Sequence, residues 1–127
     1  PDRLAEPGGN LDRERMKSEV IDRLGAEALC YTPFDCAVME LGSPVELPPA
    51  RLTIVEGAYS LHPYFGQYYD LAVFVTADLE TRLNRIAARP GHNNVEMFRK
   101  RWIPMEERYL AAFEVEQRAD LCIDTTC

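Results

Sequence analysis

Three groups of side chains in this sequence have types and spacings suited to chemistry. Glu56 follows the apolar run Leu52-Thr53-Ile54-Val55 and precedes Gly57. Open α/β sheets collect ligands at the carboxyl ends of their strands, where a carboxylate can hold Mg2+ directly or through water. A glycine after it lets the backbone come close to phosphates. A glutamate opening a solvated loop has the same local sequence. Arg82, Arg85 and Arg89 recur at spacings of three and four and form a guanidinium ridge on one helix. Arginine forks match phosphate oxygens and can neutralise charge on a phosphoryl group in transfer; surface pairing with Asp78 and Glu80 is the plainer alternative. Tyr31-Thr32-Pro33-Phe34-Asp35 sets two aromatics and a carboxylate in an extended segment. That set can stack on a base and accept bonds from sugar hydroxyls, or serve as packing aromatics and a turn aspartate.

The elements that position these groups follow from pattern. Pro7-Gly8-Gly9-Asn10 breaks the chain, and Asn10 is placed to cap a helix whose Met16, Val20, Ile21, Leu24 and Ala28 share a face, with Gly25 near its end. Residues 28–48 predict a hairpin or flap, with β-like pieces at Leu29–Thr32 and Val45–Leu47 around Gly42-Ser43-Pro44. Leu52–Val55, Leu71–Val75 and Leu121–Ile123 are short apolar runs without alternation, the pattern of parallel strands covered on both faces. Residues 78–113 predict two helical stretches. Asp78 caps the first, which ends at Arg89-Pro90-Gly91; the second starts near Asn94 and carries Val95, Phe98, Trp102, Met105, Tyr109 and Phe113, with Pro104 kinking or dividing it. Strands interleaved with helices predict an α/β fold, yet three buried-type strands are fewer than such sheets usually hold.

The 127 residues fit one small domain, and the first is Pro1 rather than Met, so a preceding portion is expected. The formal charge is −7, which disfavours nucleic acid and anionic lipid as partners. Six basic residues and one acidic residue lie between Arg82 and Arg101, leaving eight basic and twenty acidic residues elsewhere. This cationic island suits a small polyanion such as a nucleoside triphosphate, or is a solvated helix face. No apolar run reaches the length of a membrane span. Cys30, Cys36, Cys122 and Cys127 form no CxxC pair, and His62 and His92 are isolated, so neither a zinc site nor a disulfide framework is expected. Reduced thiols point to a cytoplasmic protein. A homo-oligomer is left open.

In their order these pieces resemble the C-terminal two-thirds of the uridine kinase family, within the nucleoside-monophosphate-kinase-like group of P-loop proteins. The matching pieces are Pro33-Phe34-Asp35, Ile54-Val55-Glu56-Gly57, Tyr69-Asp70-Leu71 through Val75, Asp78 to Arg85 with Arg89, Trp102-Ile103-Pro104-Met105, and Ala119-Asp120-Leu121-Cys122-Ile123-Asp124. The resemblance spans roughly residues 7–125. It implies an incomplete parallel sheet with flanking helices and an ATP- and Mg2+-dependent kinase acting on a hydroxyl of a nucleoside-like molecule. It also implies Glu56 beside the metal, Gly57 and Arg89 on the nucleotide, Arg85 assisting Arg89 in catalysis, and Tyr31, Phe34 and Asp35 in the nucleoside pocket. Phe34 stands for the family's usual Tyr, Ile86 for the second Arg of a doublet, Pro90 for an Asp, and Gly8-Gly9 for an Asp near the sugar. No G-x-x-x-x-G-K-[ST] loop and no Asp-Asp pair for the acceptor hydroxyl occurs in the chain. The family's loop-bearing strand would lie between the run ending at Glu56 and the one beginning near Leu71. The chain alone is therefore expected to be inactive; a non-catalytic module pairing through its open sheet is the alternative.

Overall fold

The computed structural model describes residues 2–90 and 94–126. Gly91, expected to help end a helix, and His92 and Cys127, weighed as metal or thiol residues, lie outside the described residues. After a 3-10 turn at Arg3–Ala5, the first helix opens at α1 (Arg13–Arg15). Its cap is Asp12, whose carboxylate accepts from the Arg15 amide, rather than the expected Asn10. The helix widens into a π turn at Met16–Val20 and tightens into a 3-10 turn at Ile21–Arg23. Leu24 leaves it extended, and Gly25 at φ 84° reverses the chain.

The expected flap is a kinked antiparallel arm. β1 (Leu29–Tyr31) pairs with β4 (Val45–Leu47), and beyond the kink β2 (Phe34–Asp35) pairs with β3 (Glu40–Leu41). Pro33 has no amide to continue a ladder, and its carbonyl accepts instead from the Gly42 amide at 2.8 Å. At the base, the Glu19 carboxylate accepts from the Thr32 amide at 2.9 Å, while Arg15 donates to the Thr32 carbonyl at 2.7 Å and to Glu19. Both backbone groups of one arm residue are thus held by one ion pair on the helix.

Leu52–Val55 departs from expectation. It belongs to no strand, Leu52 lies in a bend, and Leu52 and Ile54 are 76% and 80% exposed. A strand exists only where a neighbour takes its amides and carbonyls, and among the described residues none lies beside this run. A 3-10 turn at Pro63–Phe65 follows, capped by His62.

β5 (Val73–Thr76) and β6 (Leu121–Asp124) form a parallel pair with Val73 opposite Leu121 and Thr76 opposite Asp124. The crossover between them holds α2 (Leu79–Ala87), α3 (Val95–Met97), a π turn at Phe98–Trp102, α4 (Ile103–Ala112) and α5 (Val115–Arg118). Asp78 caps α2 by accepting from Thr81, Asn94 caps α3, and Pro104 sits in the first turn of α4, where a missing amide costs nothing. Glu114 at φ 49° separates α4 from α5. The architecture is mixed α/β, with three two-stranded sheets among the described residues, one of them parallel.

Two clusters form the interior. Leu83, Ile86 and Ile103 pack together with Val95 and Phe98, joining α2 to α3 and α4. Tyr59, His62, Phe65, Tyr109 and Phe113 stack ring against ring, tying the 57–69 loop to α4. The register puts Val73, Val75, Leu121 and Ile123 on one face of the parallel pair, and all four are exposed.

Candidate functional site

The strongest candidate is a cleft of about 290 Å³ at the carboxyl ends of β5 and β6, lined by Thr76, Arg82, Arg85, Arg89, Glu106 and Thr125 with Ile86, Phe98 and Ile103 at its floor. The two strand ends are locked together. Thr125 donates its amide and its hydroxyl to the Thr76 carbonyl at 2.8 and 2.9 Å, and the Asp78 amide donates to the Thr126 hydroxyl at 2.9 Å. α2 leaves this junction directly, so its arginine face looks over the strand ends.

The three arginines differ in engagement. Arg82 is held to α4 by Glu106 at 2.9 Å and Glu107 at 3.3 Å, not by the expected Asp78 and Glu80; Asp78 is occupied as the cap. Burial raises the pKa of Glu106 and the Arg82 charge opposes that rise. Arg85 donates to the Thr125 carbonyl at 2.6 Å and to its hydroxyl at 2.9 Å. Arg89 lines the cleft and is exposed, and no hydrogen bond or ion pair engages its guanidinium among the described residues. Arg85 and Arg89 thus bring guanidinium groups to the cleft, while the charge of Arg82 is matched by Glu106 and Glu107.

The remaining expected residues do not line this cleft. Glu56 is exposed at the end of the unpaired run, and Gly57 has φ 155° with open space where a side chain would be. Among the described residues no group of three or more His, Cys, Asp or Glu side chains converges on a cation position. Glu56 is thus a single exposed carboxylate outside the cleft. On the arm, Tyr31 is half-buried opposite Val45 and Phe34 is exposed opposite Leu41. The Asp35 carboxylate accepts from the Ala37 amide at 2.8 Å, so it works as a turn residue here.

No family model matches the chain. Among the described residues, no helix is long and apolar enough to cross a membrane.

Two features escaped sequence reasoning. Thr76 and Thr125, which close the cleft floor, lie just past apolar runs, and only the register of the parallel pair brings them together. His62, isolated in sequence, is 4% exposed, stacked on Tyr109 and tilted against Phe65. Its Nδ1 accepts from the Tyr64 amide at 3.1 Å, which places the proton on Nε2. Burial and the nearby Arg13 charge lower its pKa, and the Pro7 carbonyl, outside ordinary hydrogen-bond geometry, offsets this only in part. The Gly8 backbone passes so close that an added Cβ would lie 2.8 Å from the ring.

Proposed function

We propose that this chain is the C-terminal part of an ATP-dependent phosphotransferase of uridine kinase-like P-loop type, acting on a hydroxyl of a nucleoside or similar small molecule. The observation that carries this reading is Arg89, an unengaged guanidinium at the mouth of a cleft on the carboxyl ends of two parallel strands. Phosphoryl transfer asks a protein for positioning and for neutralisation of charge on the phosphates. Arg89 supplies an exposed charge for that purpose. Arg85, anchored on Thr125, supplies a fixed one. ATP brings the phosphoryl group and Mg2+ screens it; Glu56 is the carboxylate of this chain available to the ion. The triphosphate-gripping loop, its strand and the base for the acceptor hydroxyl are to come from residues outside these 127.

The test is nucleotide binding by the longer polypeptide. Arg89→Ala should weaken ATP binding by roughly 10- to 100-fold, the scale of one charge-assisted hydrogen bond, without lowering the melting temperature. Unchanged affinity in that variant rejects this use of the cleft. The chain without the loop should show no phosphotransfer.

A second reading is supported by the exposed Leu52 and Ile54 and by the open apolar face of β5 and β6. In it the chain is a non-catalytic module that takes a strand from a partner. Sequence preceding residue 1 distinguishes the two: a strand followed by a glycine-rich Lys-Ser/Thr loop favours the kinase.

A further inference from the structure

The arm and the basic stretch of the π turn carry opposite characters, and neither is used by the cleft. From Leu24 to Ala50 the chain has Glu27, Asp35, Glu40 and Glu46 and no Lys, Arg or His. The arm tip is apolar as well: Phe34, Val38, Met39 and Leu41 are all exposed, Met39 to 70%. By register Phe34 and Leu41 lie on one face of the tip and Asp35 and Glu40 on the other. The tip is also held in shape before any contact is made. Asp35 closes a turn on Ala37, Met39 takes φ 57°, and the Gly42–Pro33 bond ties the two strands behind it. A preformed projection loses little entropy on docking.

At the junction of the π turn and α4, a groove of about 320 Å³ is lined by Lys100, Arg101 and Arg108 around Pro104 and Met105. Arg108 is fixed by donating to the Leu4 and Glu6 carbonyls at 2.8 and 3.3 Å, and the Arg101 guanidinium stands 4.9 Å from the Trp102 ring centre. Cationic walls over a floor of proline and methionine suit a segment that is apolar at its tip and acidic at its sides.

We propose that this groove receives the arm tip of a second copy of the chain, and that the exchange is reciprocal, giving a two-fold dimer. The occupant is the chain itself because its own arm has the complementary chemistry. The base of the arm is held to the first helix through Glu19 and Arg15, which leaves the tip to project. Two copies each offering one tip and one groove close a two-fold pair with both contacts made. This inference uses neither Arg89 nor Glu56, but it assigns Phe34 and Asp35 to a contact between copies and not to a nucleoside pocket.

Sedimentation velocity across protein concentration and salt tests it. The expected result is a monomer–dimer equilibrium that shifts to monomer as salt rises, because the contact is between opposite charges. Met39→Asp and Arg101→Glu should each weaken dimerisation by at least about tenfold, and a mixture of Glu40→Lys with Lys100→Glu chains should associate better than either alone. With Cys30, Cys122 and Cys127 replaced by Ser, the native Cys36 should form an intermolecular disulfide with Cys introduced as Arg101→Cys. A chain that is monomeric throughout overturns the proposal. Association that strengthens with salt and ignores both variants also overturns it, since that is the signature of the apolar sheet face. So does a groove variant that loses affinity for a short oligonucleotide while association is unchanged.

Discussion

Arg82 and Arg85 lie on α2 and Arg89 just past its end, and the three differ in engagement. Arg82 ties α2 to α4, Arg85 ties α2 to the chain just after β6, and Arg89 lines the cleft with no hydrogen bond or ion pair among the described residues. Replacing Arg82 should therefore lower stability, whereas replacing Arg89 should not. His62 makes a separate prediction. Its folded pKa lies below its ordinary value, so the unfolded chain binds the proton more readily. Its contribution to stability is complete above the ordinary histidine pKa near 6.5 and is lost as pH falls towards the lowered folded pKa, at no more than about 1.4 kcal/mol per pH unit. Melting temperatures between roughly pH 7.5 and 5.5 should fall more steeply for the native chain than for His62→Phe. Equal slopes would mean that His62 does not govern the acid limb. Spacing places Arg82, Arg85 and Arg89 on one helix, but α2 ends at Ala87 and Arg89 follows its Ala88 cap, so only the first two share it. The role of His62 was not legible in the sequence, since its partners Tyr109 and Phe113 lie more than forty residues away.

At the scale of elements, the arm depends on one ion pair. The Glu19 pKa is lowered mainly by its bond from Arg15 and then by the Thr32 amide. Glu19→Ala leaves the Thr32 amide without its acceptor and frees Arg15 to move. Amide hydrogen exchange in β1 and β4 should then speed up severalfold, while α4 is unaffected. Uniform acceleration across both would show global destabilisation instead. The arm, the two long helical stretches and the β5 and β6 runs could be read from turn residues, caps and apolar runs. Two element features could not. The first cap moved from Asn10 to Asp12, because either residue can accept from an amide two or three positions on and only the path of the Gly8-Gly9 loop selects one. Leu52–Val55 has a strand's composition, but a strand is defined by pairing, which lies outside the run itself.

At the scale of the whole molecule, many large apolar side chains are exposed. Val73, Val75, Leu121 and Ile123 present an open face, and Leu52 and Ile54 stand clear of any core. Surface of this kind marks a place where protein is expected to dock. The chain should accordingly bind a hydrophobic dye such as ANS in its native state, and a polypeptide that supplies the missing layer should suppress that fluorescence. Persistent dye binding by the longer protein would show that the face is not covered. The interleaving of strand-like runs with helical stretches points to an α/β fold, and the small number of such runs raises the expectation of further strands. The exposure of each residue required coordinates.

The parallel pair has a consequence for how the chain reaches this shape. Asp120 accepts the Ala72 amide at 2.8 Å across 48 residues of sequence, and every helix of the crossover lies between. A hairpin can close as soon as its turn forms, but these strands must wait until the whole intervening stretch has compacted. The arm should therefore become protected from solvent early in refolding, and the amides of β6 last. A substitution that loosens the Leu83, Ile86 and Ile103 contacts should delay that final step while leaving the early one at its original speed.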